Sequence, residues 1–351
     1  MGALPIVGVV RHRLSLLQHF WALERRGNRG LPNLRLMSRG FLSNRAWLYP
    51  LDRFDAHLFL TDLEAEARLP RLNSTEAMAL LGDKLRFHEW VRSGSFPGTC
   101  PELIGLVEDG RATTLDGSPL PRADVEGRAM ISKPVDGSGG RGVRRISSVD
   151  EVDRRGRFLL EAAVVQHPYA SAIYPHAVNT IRVLVGHDEA SGKTILLGAA
   201  HRFGTERSRP TDNFKAGGIV SLIELESGTL SDAISDDGGP SRTTLPRHPE
   251  TGTRIGGTMI PHWNDIKTLA RACTRSIAGL VYVGWDIALT EDGPIVIEGN
   301  GTLANPNLIQ FHEPMLLRQE VRDFFAAKGA ISPNRLERIR ASQRHRSFKA
   351  D

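Results

Sequence analysis

Asp286, Glu298 and Asn300 fall within VGWDIALTEDGPIVIEGN, where two apolar runs flank Glu291-Asp292-Gly293 and predict a β-hairpin. A three-residue loop with glycine in the left-handed position sets Thr290 opposite Pro294, and therefore Asp286 opposite Glu298. Side chains alternate along a strand, so Asn300 shares the face of Glu298, while Ile287, Leu289, Ile295 and Ile297 point the other way into a core. Two acids placed opposite each other repel unless positive charge lies between them. A hard divalent cation suits this oxygen set, because Mg²⁺ takes one or two carboxylates together with substrate phosphates. The alternative is a surface hairpin whose acids are simply solvated.

Upstream, Ile131-Ser132-Lys133-Pro134-Val135-Asp136-Gly137-Ser138-Gly139-Gly140-Arg141-Gly142 is a second segment with chemical content. Gly137, Gly139 and Gly142 match G-x-G-x-x-G, which raises a dinucleotide-binding fold. That fold needs a helix directly after the glycines, to seat a pyrophosphate on its N-terminus. Val143 to Ser148 reads as a strand instead. Two strands joined by a glycine-rich loop form a hairpin cover whose backbone N–H groups can fold over phosphates. Lys133, on the incoming strand, supplies a point charge for the same phosphates. A glycine-rich linker beside an ordinary surface lysine is the alternative.

These residues need a scaffold, and the chain is long enough to build one. It has 351 residues, 40% hydrophobic and 24% charged, which predicts a globular protein of two or three lobes, expected in the cytoplasm. No run approaches the roughly 18 apolar residues of a membrane span, and the apolar stretch Ala3 to Val10 lacks the flanks of a leader. Cys100 and Cys273 stand far apart, which argues against a disulfide framework or a zinc site. The net charge of +5 gathers between Arg11 and Arg53 and in the tail from Arg335 to Lys349. No aromatic-and-basic module accompanies it, so a solvated surface is favoured and no nucleic-acid partner is expected.

Leu14, Leu17, Phe20 and Trp21 recur at helical spacing, and Gly27-Asn28-Arg29-Gly30 stops that helix. Asn73-Ser74-Thr75 offers caps for a helix over Glu76 to Leu81, and Gly82-Asp83 restarts a second one carrying Lys84, Phe87 and Trp90. Arg128 to Pro134 reads as a strand, and β-branched runs from Ile181 to Leu225 predict an antiparallel meander. Asn264 to Leu280 and Glu313 to Ala327 predict helices, with a loosely held tail beyond. The expected division is a mainly helical lobe at 1–72, a small subdomain at 73–165, a large subdomain at 166–330 and a basic tail at 331–351.

Lys84 on a helix, Lys133 before a glycine-rich hairpin, and an Asp…Glu-x-Asn hairpin near the C-terminus together resemble the ATP-grasp superfamily. VVQHP, VNTIRVLV, AAHRFG, DNFKAGGIV, RHPETG, MIPHW and VGWDIAL…IEGN look like its sugar-transfer-associated group, related to α-L-glutamate ligases. The resemblance runs from about Asn73 to Phe325. It implies an α+β, ATP-grasp fold in which two α+β subdomains grip ATP, preceded here by the N-terminal helical lobe.

Carried onto this chain, the resemblance puts Lys84 and Lys133 on ATP phosphates under a cover formed by Gly137, Ser138, Gly139, Gly140 and Gly142. Glu161, Ala162, Ala163 and Val164 become the hinge strand that reads the adenine edge, with Gln166 and His167 toward the ribose or substrate. Arg182 and Arg202 face the γ-phosphate and the developing anion, and Asp286, Glu298 and Asn300 hold the metal. The implied cofactors are ATP and Mg²⁺, two ions, with Mn²⁺ as a substitute.

The implied reaction moves the γ-phosphoryl to a carboxylate, and an amine then displaces phosphate to form an amide. Small-molecule, peptide-linked or sugar-linked carboxylates and amines are the expected partners, in cell-surface polysaccharide or amino-sugar metabolism. Arg202 suits the oxyanion because its planar fork matches such oxygens, and a structural salt bridge is its alternative. Lys215 lies in a loop that could meet the acceptor, or is simply solvated. His248, His262 and Trp263 are recognition candidates, although a turn histidine satisfied by backbone is the favoured role for His248. Trp285 is expected in the core. Two other readings stay open, a kinase acting on a hydroxyl and a nucleotide-binding adaptor without catalysis.

Overall fold

Short alternating runs and turn residues between Leu103 and Asn300 fold into two antiparallel sheets, and these sheets carry most of the candidate residues. The computed structural model describes residues 6–27, 30–136, 139–236, 241–302 and 304–347, with side chains described from 17 to 341. Asn28 and Arg29 of the predicted helix stop, Gly137 and Ser138 of the glycine segment, and the last residues of the basic tail lie outside them. Internal packing divides the chain into two units, 1–72 with 236–242 and 305–351, and 73–235 with 243–304. Among the described residues no helix is long and apolar enough to cross a membrane.

The larger unit contains strands β1 (Leu103–Glu108), β2 (Arg111–Thr113), β3 (Met130–Pro134), β4 (Arg144–Ile146) and β5 (Arg157–Ala162) in the order β2-β1-β5-β3-β4. Met130 pairs antiparallel with Ile146, so the glycine segment joins two strands and no helix follows it. One face of this sheet packs Val107, Val125, Met130, Ile146 and Leu160 into a small core.

The second sheet holds β6 (Ile181–Asp188), β7 (Lys193–Phe203), β8 (Ile219–Leu222), β9 (Ala233–Ser235), β10 (Thr243–Leu245), β11 (Tyr282–Thr290) and β12 (Gly293–Asn300). Its order is β10-β9-β8-β7-β6-β11-β12, which contains the expected meander. Helix Trp263–Arg275 covers one face with Ile266, Leu269, Ala270 and Cys273, and Trp285 sits fully buried beneath it, donating Nε1–H to Thr274 Oγ1 at 2.9 Å. Helices Thr75–Gly82 and Lys84–Trp90 start where Ser74 and Asp83 accept from Ala77 N and from Leu85 N and Arg86 N.

The β11–β12 hairpin differs from expectation at its tip. Thr290 pairs with Gly293, leaving a two-residue loop, and Gly293 takes φ 115°. A register irregularity between Asp286 and Ile287 then inserts one residue on β12 and restores Asp286 opposite Glu298. This bulge re-aims the strand. Val296, opposite Ile287, takes the buried core position expected of Ile295, and Ile297 turns toward a cavity.

In the smaller unit, helix Ile6–Gly27 buries Phe20 and leaves Leu17 and Trp21 exposed. Gln310 binds both backbone groups of Leu60 and the Tyr49 hydroxyl, while Asp62 and Arg45 form a buried ion pair at 2.7 Å. The predicted helix from Glu313 begins only at Gln319, after Pro314 and a short turn at Met315–Leu317. The tail is more ordered than expected. Helix Pro333–Ser347 buries Ile339 and brings Arg335 Nε to 2.8 Å from Glu64.

Candidate active site

Strand register aligns the charged candidates in a row across one face of the second sheet. Arg182 on β6 opposes Asp286 on β11, which opposes Glu298 on β12. Arg202 on β7 lies two residues beyond Ala200, the partner of Arg182, and so shares that face. Arg182 Nε and Nη2 donate to the two oxygens of Asp286 at 2.5 and 3.0 Å, and its Nη1 donates to Ala304 O at 2.6 Å. Arg202 Nη2 adds a 3.0 Å bond to Asp286 Oδ2, lies 3.3 Å from Asp212 and donates to Thr180 Oγ1. Gly284 makes room for this packing, since a Cβ there would stand 2.9 Å from Arg182 Cδ and from Ala304 O.

The expected reason for a cation between Asp286 and Glu298 was their mutual repulsion, and the structure answers half of it with arginine. Burial would raise the Asp286 carboxyl, but Arg182 and then Arg202 overcome it and hold Asp286 at about 2. Glu298 goes the other way: burial pushes it up, and Asp286 beside it adds to the rise. Asn300 Nδ2 donates to Glu298 Oε1 at 3.3 Å. Arg202 is raised above its ordinary value, with burial opposing and Asp212 and Asp286 prevailing.

Glu298 and Asn300 open into a cavity of about 270 Å³ whose other polar lining comes from Lys84, His88, Lys133 and Thr302. Lys84 and His88 stand four residues apart on one helix and so share a side. Lys84 Nζ donates to Val135 O at 3.4 Å, and burial lowers its ammonium, with Glu298 offsetting part of the loss. Lys133 lies diagonally across from Glu161, with Nζ 2.6 Å from Oε1. Gly139 also borders the cavity, and its carbonyl accepts from Asn213 Nδ2, while Thr211 packs against Gly140. Gly139 and Gly140 thus rest on the loop that carries Lys215, whose own side chain is exposed.

Several expected contacts are spent elsewhere. In the hinge, Ala162 N and Ala163 N donate to Glu102 O and Ala129 O, so neither N–H is free for a base, and Val164 is the hinge position beyond them. Gln166 is committed to structure through Tyr174 O, Ala177 O and Asn179, and His167 Nδ1 caps the helix at Tyr169 N. His248 is buried, stacked on Tyr174, with Nε2 2.8 Å from Gly204 O, in the backbone-satisfied role favoured for it. Trp263 is buried and donates to Leu225 O, while His262 stays half exposed beside Asp265. The two cysteines are free thiols, both pushed up by burial, Cys273 to about 12.

Three residues at or beside the site escaped the sequence reading. His88 could have been found from its four-residue spacing after Lys84. Asp212 and Thr180, which complete the surroundings of Arg202, carry no such signal, because Thr180 lies just ahead of β6 and Asp212 in the loop between β7 and β8, and they meet only once those strands are paired.

Glu298 and Asn300 offer hard oxygen donors at the cavity wall, and burial together with the Asp286 carboxylate disfavours charge on Glu298 in the absence of a cation, so these two residues fit Mg²⁺. Asp286 fits less directly, because both of its oxygens already meet guanidinium groups. Among the described residues no group of three or more His, Cys, Asp or Glu side chains could hold a metal ion.

A family profile described as sugar-transfer associated ATP-grasp matches residues 145–323, leaving Lys84 and Lys133 outside the matched region. No curated protein matches the sequence. Solved structures give distant likenesses. Biotin carboxylase from Campylobacter jejuni, in complex with β,γ-ATP, is 14% identical, with 75% of this chain and 49% of that chain covered and a TM-score of 0.44. This chain therefore spans about half the length of that enzyme. D-alanine–D-alanine ligase from Bacillus anthracis with ATP is 12% identical over 77% of this chain and 71% of that one, with a TM-score of 0.42. D-alanyl-alanine synthetase A from Vibrio cholerae is 12% identical over 76% and 72%, with a TM-score of 0.44.

Proposed function

The chain belongs to the sugar-transfer associated ATP-grasp family, and from that premise we propose that it is an ATP- and Mg²⁺-dependent ligase joining a carboxylate to an amine. The observation that carries the reading is the cavity that sets Lys84 and Lys133 together with Glu298 and Asn300. Two lysines suit a polyphosphate, and the acids suit the cation that accompanies it.

In this reading Lys84 and Lys133 bind phosphate oxygens, Gly139, Gly140 and Gly142 cover them, and the Val164 end of the hinge meets the adenine edge. Glu298 and Asn300, with Asp286 behind them, hold Mg²⁺ as one or two ions, or Mn²⁺ in its place. Bound there, the metal would neutralise charge on the phosphates during transfer. Asp286 sets the positions of Arg182 and Arg202. Arg202 is the more exposed of the two, at 14% against 4% for the side chains, and is assigned to the transferring phosphoryl group and the oxyanion. Lys215 is assigned to the acceptor. The family description makes sugar-linked carboxylates and amines of cell-surface or amino-sugar metabolism the first substrates to try.

Turnover with carboxylate and amine pools is expected to yield ADP and free phosphate, and hydroxylamine in place of the amine is expected to trap an acyl hydroxamate. Phosphate that stays on the acceptor, with no hydroxamate from any stimulating carboxylate, would replace the ligase with a kinase of the same nucleotide site.

A further inference from the structure

At the inner wall of the cavity one carboxylate oxygen serves two partners. Glu161 Oε1 lies 2.6 Å from Lys133 Nζ and 2.8 Å from His88 Nε2, and all three residues are buried. Lys133 and His88 line the cavity, whereas Glu161 stands behind them. The other charged or titratable groups around this cluster are Lys84 on the same helix as His88, itself acted on by Asp136 after β3, Cys100 ahead of β1 and Glu298 on β12. Glu161 stays ionised, since burial opposes its charge but Lys133 and then His88 hold the carboxyl below its ordinary value.

A lysine that binds phosphate must turn its ammonium away from Glu161, at least in part. That movement strips a buried carboxylate of its nearer cation, which is strongly disfavoured unless another charge replaces it. His88 is the group in place to do so. Its imidazole already meets the same oxygen, and an imidazole can carry either charge state.

We propose that His88 is a positioning residue that takes over the charge of Glu161 when Lys133 engages nucleotide. As Lys133 Nζ leaves Glu161 Oε1 for a phosphate oxygen, His88 accepts a proton at Nδ1 from solvent in the cavity. It then faces Glu161 as an imidazolium through Nε2–H. Nucleotide binding is thereby linked to proton uptake, so affinity falls as pH rises. This inference rests on Lys133 being a phosphate ligand.

Calorimetric titration of MgATP into the full chain, in two buffers of different ionisation enthalpy, reads the uptake directly. Wild type is expected to take up close to one proton more than His88→Gln, a comparison that cancels the nucleotide's own titration. His88→Gln keeps a donor toward Glu161 but cannot carry charge, and is expected to bind on the order of tenfold more weakly, as for loss of one charge-assisted hydrogen bond. Glu161→Gln removes the need for a counter-charge and is expected to abolish the uptake with His88 still present. It serves as well if His88→Gln folds poorly by circular dichroism. Equal proton uptake in wild type and either variant would overturn the proposal while leaving the nucleotide site standing. Absence of MgATP binding by wild type would remove the functional reading and this inference together.

Discussion

Glu298→Gln is expected to lower ATP turnover on the order of 10³-fold, a loss of several kcal/mol of charge stabilisation around the phosphates, without unfolding the protein. Glu298 stands at the cavity wall with its carboxyl pushed up by burial and by Asp286. A group whose pKa is raised on folding contributes stability below its unfolded value and loses it as pH rises through the folded one. At neutral pH an ionised Glu298 therefore costs stability unless a cation is present, and the uncharged glutamine avoids that cost. The variant is expected to melt no lower than wild type without Mg²⁺, and to lose the stabilisation that MgATP gives wild type. Phosphate-release assays and thermal melts check both halves, and turnover equal to wild type would remove Glu298 from the site.

Asp286→Ala is expected to do the opposite, lowering unfolding free energy by about 3–5 kcal/mol, because it leaves buried guanidinium groups without their counter-charge. Arg182 is the more buried and makes two bonds to Asp286, while Arg202 retains Asp212 at 3.3 Å. The sign with pH is set by the carboxyl at about 2, below its ordinary 3.8. Such a group stabilises above its ordinary value and loses that contribution as pH falls toward 2. Urea unfolding at pH 7 is expected to separate the two proteins widely, and the gap is expected to narrow as pH drops below about 4. An unchanged midpoint at pH 7 would mean that the arginines are not held by Asp286.

Together the two substitutions separate roles that the sequence left merged. Asp286 and Glu298 look equivalent as acids of one hairpin, and their pairing was legible from alternation and the Glu-Asp-Gly turn. It was reached through two offsetting departures, a loop one residue shorter and a bulge one residue longer than expected. The loop needed only glycine at its end. The bulge had no local mark, and it moved Val296 into the core in place of Ile295. The arginine clamp on Asp286 was not legible, because it depends on β6 lying beside β11 with some hundred residues between them. Local signals served better: Ser74 and Asp83 cap the helices expected of them, and the glycine segment joins two strands. The hinge shows the limit, since its strand was foreseeable but the commitment of Ala162 N and Ala163 N to neighbouring carbonyls was not.

ATP is expected to bind in the cavity bounded by Lys84, Lys133, Glu298 and Asn300. Titration of MgATP into wild type and into a Lys84→Gln, Lys133→Gln double variant tests it most directly. One site is expected in wild type, with affinity at least about a hundredfold weaker in the double variant from loss of two charge-assisted contacts, and with no loss of helix signal. Equal affinity in the two proteins would place the nucleotide elsewhere.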